Sequence, residues 1–379
     1  MECNDATDDG RPSKASFERY ERLVGGGWGV VVVEAASVTD GCLARRRQLR
    51  INEQTAGDFA KLAQRLREVA PFTVLLLQLT HSGVVADPAF SEVVEVAGPL
   101  DKVVNPKDLS KVHVLTTEEV KALTRVFADA AEVAYDCGFD GVDVKSCHGY
   151  LGAEFLRPRN TRDDEYGGSF ENRTRFFREI VTMVRRRVPD PRFVLGTRVS
   201  FYEGIPGGFG TSGPDEVVED LSEPLQFVRS CAELGLDFVN VTAGIPSLVP
   251  QLTRPSPKYL VPAYHHFRYA AAAKALKLPL VVVGSAYSAL RRDFPKVAGK
   301  NVAEGLVDFV GLGRQSLADP HFPAHLRAGD FGKIRWCVGD GACAALLGAQ
   351  REVGCAVYER RHAKEFRDLR RHSGTTRAH

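Results

Sequence analysis

Short apolar runs rich in β-branched residues alternate along this chain with longer segments in which apolar residues recur at helical spacing. Several of the short runs are apolar at consecutive positions, which is typical of parallel strands covered on both faces. Seven runs are predicted as strands: Trp28–Glu34, Thr73–Leu79, Gly141–Lys145, Phe193–Val199, Phe238–Val241, Leu280–Val283 and Phe309–Leu312. The pattern therefore predicts a parallel sheet connected by helices.

Helical periodicity lies between these runs. The segment Thr116–Cys137 opens with a Thr-x-x-Glu capping box, and Gly235 ends the helix predicted over Ser222–Leu234. From Tyr358 onward the chain is strongly charged, which predicts a solvated helix followed by a frayed tail. The remaining predicted helices are Phe17–Leu23, Glu171–Val188, Tyr264–Leu276 and Pro320–Arg327.

The predicted fold class is α/β, a (β/α)8 TIM barrel. A closed barrel of this class has eight strands. Because Met1-Glu2-Cys3 leads almost directly into the first helix, we expect most of the first strand to be absent from this chain. The alternative is an open, doubly wound sheet, which is less favoured because no Gly-x-Gly-x-x-Gly turn follows an early strand.

The length of the chain limits the number of domains. A chain of 379 residues would ordinarily divide into two or three domains. We expect instead one barrel over residues 1–330 and a helical extension over 331–379 packed on it. The segment Ala86–Val114 is predicted to cross the barrel mouth, and the glycine-rich segment Tyr202–Ser212 is predicted to be mobile.

Charge and cysteine usage limit the possible partners and location. The net charge of +2 gives no reason to expect nucleic acid or an anionic membrane as a partner. The eight cysteines are scattered, the acidic N-terminus has no apolar signal core, and no apolar run is long enough to span a membrane. We therefore expect a cytoplasmic protein with reduced thiols. A homo-oligomer is left open.

Polar or glycine residues follow five of the predicted strands. In α/β barrels, reactive residues gather at the carboxyl ends of the strands. These ends carry Gln78 and His81, then Lys145, His148 and Tyr150, then Arg198, then Gly284, and finally Gly313 and Arg314. Five such ends around one mouth predict a functional site.

These motifs together resemble the old yellow enzyme family of flavin-dependent oxidoreductases over nearly the whole chain. GFDGVDVKSCHGYL followed by TRDDEYGGSFENRTRFFREI is similar to the family's fourth-strand signature. QLTHSG and FVGLGRQSLADP resemble its third-strand flavin motif and its phosphate motif. The resemblance implies a barrel that binds FMN, takes hydride from NADH or NADPH, and reduces the activated C=C bond of an unsaturated carbonyl compound.

The resemblance also implies which residues bind the flavin. Gly284, Gly313 and Arg314 match the family's phosphate residues, where glycine lets backbone N–H groups approach an anion. Arg198 matches the cation beside the flavin N1–C2=O edge, which carries negative charge after reduction. Gln78 matches the amide that pairs with the pyrimidine edge of the ring. Each residue also has a structural alternative. The glycines could simply form tight turns, Arg198 could form a surface ion pair, and Gln78 could be a hydrogen-bonded amide in the core.

Three residues match the family's catalytic positions. Lys145 and His148 lie where the family holds two donors to the substrate carbonyl oxygen, and Tyr150 matches the proton donor to the α-carbon. Lys145 departs from the common His or Asn. It either favours carboxylate-bearing or more electron-rich acceptors, or forms an ion pair with Asp143 or the nearby acidic loop and takes no part in catalysis. His81 either lines the site or has only a structural packing role.

The C-terminal cysteines are similar to those of the 2,4-dienoyl-CoA reductase branch, whose four cysteines bind an iron–sulfur cluster. Here Cys337, Cys343 and Cys355 leave one ligand missing, and Asp340 stands where a cysteine is expected. We therefore predict that no iron–sulfur cluster is bound, and we predict no other metal.

Two other functions are compatible with the pattern. The first is a Schiff-base aldolase on a phosphate-binding barrel, with Lys145 as the nucleophile. It leaves the DEYGGS segment unexplained. The second is a degenerate flavin-barrel relative that binds without catalysing.

Overall fold

The computed structural model describes residues 2–98 and 110–375, with side chains described through residue 372. Within these residues the strands are β1 (Val30–Ser37), β2 (Val74–Thr80), β3 (Val94–Val96), β4 (Val112–Val114), β5 (Gly141–Val144), β6 (Val194–Ser200), β7 (Phe238–Thr242), β8 (Val281–Gly284) and β9 (Phe309–Val310). All seven predicted strands are present, and the boundaries of each differ from the prediction by a few residues.

Thirteen helices accompany the described strands. They are α1 (Lys14–Val24), α2 (Ala56–Val69), α3 (Thr117–Asp136), α4 (Leu151–Leu156), α5 (Phe170–Arg187), α6 (Ser222–Glu233), α7 (Pro250–Thr253), α8 (Val261–Lys274), α9 (Phe294–Ala303), α10 (Arg314–Ala318), α11 (Phe322–Arg327), α12 (Ala342–Gly348) and α13 (Arg360–Thr375). Short 3₁₀ turns cover Gly83–Val85 and Tyr287–Asp293.

The large sheet is entirely parallel, and its strand order is β1-β2-β5-β6-β7-β8-β9. Each strand therefore lies beside the next one along the chain, apart from the separate β3-β4 pair. A doubly wound sheet reverses its strand order at a switch point, so this sequential order excludes that alternative. The winding is that of a TIM barrel, as predicted.

Seven strands of the described chain form this sheet, with β1 and β9 at its edges. The edge strands expose apolar side chains, with Val30 41%, Val32 37% and Phe309 53% accessible. In the interior strands apolar residues are buried. Leu75, Leu77 and Leu79 of β2 are fully covered.

Aromatic side chains join several of the helices to one another. The rings of Phe155 and Phe176 stack with centroids 4.5 Å apart, and Phe127 meets Phe176 edge to face at 5.9 Å. These contacts fix α3 and α5 against each other. In a separate cluster, Trp336 packs against Phe294 of α9 and Phe322 of α11, so the segment after α11 lies on these two helices. The division at residue 330 stays a prediction.

Helix caps match the sequence signals. Thr116 and Glu119 form the predicted capping box at the start of α3, and Gly235 follows α6 with a φ of 71°. The charged C-terminal segment forms α13, while the predicted frayed tail lies outside the described residues. The sequence prediction missed two longer helices, α2 and α9, and four short ones, α4, α7, α10 and α12.

The TRDDEYGGS segment connects neighbouring loops. The Arg162 guanidinium donates to the carbonyl oxygens of Ala97 and Leu115 at 2.5 and 2.6 Å. Asp164 accepts from Thr117 Oγ1 at 2.6 Å. The family signature thus holds the loop around β3 against the start of α3. Residues 99–109 of the predicted excursion lie outside the described residues.

The glycine-rich segment after β6 is held by a buried ion pair. Arg157 Nε donates to Glu203 Oε2 at 2.7 Å, and the same oxygen accepts from the Phe209 N–H at 3.1 Å. Glu203 is fully buried. The mobility of this segment stays a prediction.

Candidate active site

The carboxyl ends of parallel strands meet at one edge of the sheet, and several predicted site residues contact each other there. The His148 N–H donates to Ser200 Oγ at 3.1 Å, and His148 Nε2 lies 3.2 Å from Thr242 Oγ1. Arg198 Nη2 donates to the same threonine hydroxyl at 3.4 Å. The ends of β5, β6 and β7 are therefore joined through His148 and Arg198.

A left-handed turn positions His148. Its φ is 62°, and Gly149 follows with a φ of 81°. A non-glycine residue adopts this region at a cost, so the surrounding hydrogen bonds must hold it there. Burial lowers the pKa of His148 well below its usual value, and the cations of Arg198 and Lys145 act in the same direction. The imidazole is therefore neutral at pH 7 and offers one N–H donor.

Asp143 on β5 connects two predicted flavin-binding residues. Gln78 Nε2 donates to Asp143 Oδ2 at 2.7 Å, and the Arg198 N–H donates to Asp143 Oδ1 at 2.8 Å. Burial raises the pKa of this carboxyl, and the bonds from Gln78 and Arg198 oppose that rise. Asp143 thus fixes the side chain of Gln78 and the backbone of Arg198, and sequence reasoning did not assign it this role.

Arg198 and Arg314 lie at the same end of the sheet. Burial lowers the pKa of His266 to about 4, and the positive charges of Arg198 and Arg314 act in the same direction. His266 Nδ1 lies 3.0 Å from Ser285 Oγ, directly after β8. Arg314 Nη2 donates to the Pro255 carbonyl at 2.7 Å. That these two arginines line one binding site stays a prediction.

Several buried polar atoms near the strand ends have no hydrogen-bond partner among the described residues. They are Arg198 Nε, Thr80 Oγ1, Ser82 Oγ, Ser146 Oγ and Asn240 Oδ1. Buried polar groups are normally bonded, so this set fits a polar ligand such as a flavin ring. Gly284 has a packing requirement of its own, because a Cβ there would lie 2.9 Å from Val307.

Lys145 and Tyr150 form a second cluster with Glu2. The Lys145 ammonium lies 3.1 Å from the centroid of the Tyr150 ring. It donates to Glu2 Oε1 at 3.2 Å, and the Tyr150 hydroxyl donates to the same oxygen. Arg45 Nε donates to the other carboxylate oxygen at 2.9 Å. Lys145 therefore pairs with Glu2, and not with Asp143.

Charge in this cluster fixes its protonation. Burial raises the pKa of Glu2, but Lys145, Arg45 and Tyr150 outweigh it and lower that pKa to about 2. Burial and the Glu2 charge raise the pKa of Tyr150 well above its usual value. At pH 7 the carboxylate is ionised and the phenol keeps its proton.

His81 is held by neighbours on its own side of the sheet. Its Nε2 lies 2.8 Å from Glu95 Oε2, and its Nδ1 accepts from the Gly83 N–H at 3.2 Å. The ligand atoms of Cys42, His81 and Glu95 lie within 4.8 Å of one another. That no metal binds here stays a prediction.

The three C-terminal cysteines lie near Asp340 and the start of α10. Burial, and then the neighbouring Cys337, raise the pKa of Cys343 to about 11. Cys337 and Asp340 also raise the pKa of Cys355, although burial is the larger cause. The Cys337 N–H donates to Gln315 Oε1 at 2.9 Å. The expectation that no iron–sulfur cluster binds here stays a prediction.

Among the described residues, none of the helices combines the length and the apolar character that crossing a membrane requires.

The comparisons with known proteins identify the family. Residues 2–330 match the model of the NADH:flavin oxidoreductase / NADH oxidase family. The chain therefore belongs to this enzyme family, and the resemblance to the old yellow enzyme group is confirmed.

Individual relatives differ in length. The chain is 30% identical to an NADH oxidase of Thermoanaerobacter brockii over 346 residues, which is 89% of this chain and 49% of that protein. It is 28% identical to an NADPH dehydrogenase of Bacillus subtilis, over 83% of this chain and 84% of that one. The chain thus spans about half the length of the first relative and most of the second.

The fold is also that of a solved old yellow enzyme. The homologue from Zymomonas mobilis aligns with a TM-score of 0.67 at 21% identity, covering 87% of each chain. This likeness confirms the predicted TIM-barrel class.

Proposed function

We propose that this chain is an FMN-dependent oxidoreductase that takes hydride from NADH or NADPH and reduces the activated C=C bond of an unsaturated carbonyl compound. The observation that supports the proposal is a pair of polar clusters among the residues after the parallel strands of a flavin oxidoreductase family member: His148 and Arg198 meet at Thr242, and Lys145 and Tyr150 meet at Glu2.

The residues proposed to bind FMN are Gln78, Arg198, Gly284, Gly313 and Arg314. Arg198 supports this role best, because its Nε is buried and has no hydrogen-bond partner among the described residues. Gln78 already gives one N–H to Asp143, so its carbonyl oxygen stays available as an acceptor. When bound, FMN would supply the hydride chemistry that amino-acid side chains lack.

The chain's own residues would bind and polarise the substrate. Neutral His148 and cationic Lys145 are proposed as the two donors to the carbonyl oxygen, where negative charge develops. Tyr150 is proposed to hold the proton for the α-carbon at its hydroxyl oxygen, and burial with Glu2 keeps that proton bound at pH 7. Because the same O–H donates to Glu2, the hydroxyl would have to turn from Glu2 to the substrate for the transfer. The left-handed backbone at His148 fixes the first of these donors.

Anaerobic stopped-flow spectroscopy tests the proposal with Tyr150→Phe. Flavin reduction by NADPH should persist, while flavin reoxidation by 2-cyclohexenone should slow by roughly a hundredfold or more. Tyr135→Phe is the matched control, because Tyr135 is exposed on α3. Equal reoxidation rates for the wild type and Tyr150→Phe would exclude Tyr150 as the proton donor.

The aldolase alternative has less support from the geometry. A Schiff base needs a neutral amine, whereas the Lys145 ammonium is paired with Glu2 and lies on the Tyr150 ring. Borohydride trapping of a carbonyl adduct on Lys145 would favour it. Absence of flavin binding in a cooperatively folded protein would instead favour the non-catalytic relative.

We also propose that the extension over residues 331–379 carries no iron–sulfur cluster. The support is the ligand set, in which Asp340 stands beside three cysteines. Iron analysis of protein purified anaerobically tests this, and four iron atoms per chain would contradict it.

A further inference from the structure

The Glu2 carboxylate sits in a receptor of three donors. Lys145 Nζ and the Tyr150 hydroxyl both donate to Oε1, and Arg45 Nε donates to Oε2 at 2.9 Å. Both oxygens are therefore bonded, two of the three donors are cations, and the donors come from two separate segments of the chain. This is the arrangement by which proteins recognise a free carboxylate.

The receptor is largely buried, and Arg45 is its most exposed donor, with 19% of its side chain accessible. Lys145 is 6% exposed and Tyr150 is 4% exposed, and Glu2 itself is 8% exposed. The backbone anchors two of the donors independently of Glu2. The Lys145 N–H donates to the Leu79 carbonyl at 3.0 Å, and Arg45 Nη1 donates to the Ala44 carbonyl at 3.0 Å. These two bonds do not involve Glu2, so they can hold Lys145 and Arg45 in place when Glu2 is absent.

The charge balance shows why the receptor must be filled. With Glu2 in place, Lys145 and Arg45 face one carboxylate. Without it, the buried Lys145 and the partly buried Arg45 lose their shared counter-ion, which is unfavourable at low solvent exposure. An anion from outside is then the partner that the receptor fits.

We propose that Glu2 determines the charge of the substrate: its carboxylate fills a carboxylate-binding subsite made by Arg45, Lys145 and Tyr150, so that uncharged activated alkenes are accepted and free carboxylic acids are excluded. This inference rests on the proposed alkene reduction for its link to substrate. The subsite itself is testable without that activity. A substrate carboxylate has to displace a tethered one, which is present at a high effective concentration.

Acetate rescue of Glu2→Ala tests the subsite directly. The substitution deletes Cγ and the carboxyl group, which together are the heavy atoms of acetate. Sodium acetate should raise the thermal midpoint of Glu2→Ala by about 3 °C or more at concentrations above its dissociation constant. Acetamide, of the same shape but uncharged, should not, and neither compound should shift the wild type in this way.

Arg45 supplies the matched control. In Glu2→Ala/Arg45→Gln the acetate response should fall on the order of tenfold in apparent affinity. If Glu2→Ala folds only with acetate, the soluble yield in acetate against acetamide gives the same readout. Equal responses to acetate and acetamide, or an acetate response unaffected by Arg45→Gln, would overturn the subsite.

Substrate selectivity tests the second half of the inference. Dimethyl fumarate is uncharged, whereas monomethyl fumarate is ionised at neutral pH. The ratio of kcat/KM for the acid to that for the diester should rise at least tenfold in Glu2→Ala. An unchanged ratio alongside acetate rescue would refute the specificity role. If no variant reduces either alkene, the proposed function fails and the acetate result still decides the subsite.

Discussion

Replacing Glu2 by Gln should remove a pH-dependent part of the folding free energy. In the native protein this carboxylate is buried and bonded to Lys145, Arg45 and Tyr150. The amide keeps the shape of the side chain but carries no charge. The difference in unfolding free energy between the wild type and Glu2→Gln therefore reports the ionisation of this one carboxyl.

The size and sign follow from the pKa. The three partners lower the pKa of Glu2 from 4.5 to about 2 in spite of burial, and each tenfold change in an acid dissociation constant corresponds to about 1.4 kcal/mol. The folded-state value is depressed, so the contribution is complete above the unfolded pKa and is lost as the pH falls through the folded pKa. The total is about 3 kcal/mol, of which about 2 kcal/mol is lost by pH 3.

Urea unfolding at pH 7, 5, 4 and 3 measures this difference. Other carboxyls titrate in the wild type and the variant alike, so their effects cancel. Glu53→Gln is the control, because Glu53 is exposed and makes no ion pair within the described part of the chain. The wild-type advantage over Glu2→Gln should shrink steadily below pH 5. A difference that stays constant from pH 7 to pH 3 would refute the buried ion-pair cluster.

Three further predictions use other parts of the structure. Arg198→Gln should weaken FMN binding by about tenfold or more in a fluorescence titration, whereas the exposed Arg192→Gln should not. Glu352 and Glu359 outweigh burial and raise the pKa of His362 to about 9, so its stabilisation is complete below pH 6.5 and lost above pH 9. The thermal-midpoint difference between wild type and His362→Gln should therefore be larger at pH 6 than at pH 10. Phe176→Ala should cost about 3–5 kcal/mol in urea unfolding, whereas Phe72→Ala, 95% exposed, should cost little.

The strands were predictable because both of their faces are covered. The burial pattern of β2 recurs in β6, and in β2 apolar residues occupy nearly every position, so this strand is visible as a continuous apolar run. The helix α2 was missed partly because its start gives no clear signal. Thr55 precedes it without a side-chain cap bond. Likewise α9 begins after Asp293, which forms no cap bond, and it contains Gly299.

The site was only partly predictable. Residues that follow strands, such as Lys145 and His148, are placed by the fold, so the strand prediction locates them. The partner of Lys145 could not be predicted in this way, because Glu2 lies 143 positions away in the sequence. Arg45 lies 43 positions from Glu2, within a run of three arginines that suggests a solvated surface. Contacts between such distant residues depend on the packed structure and have no local sequence signal.

The visible absorption spectrum of the protein titrated with FMN tests the central claim most directly. The account predicts a bound yellow chromophore with a perturbed flavin band, bleached anaerobically by NADH or NADPH and restored by 2-cyclohexenone. A folded protein that leaves the spectrum of free FMN unchanged at high micromolar concentrations would contradict it.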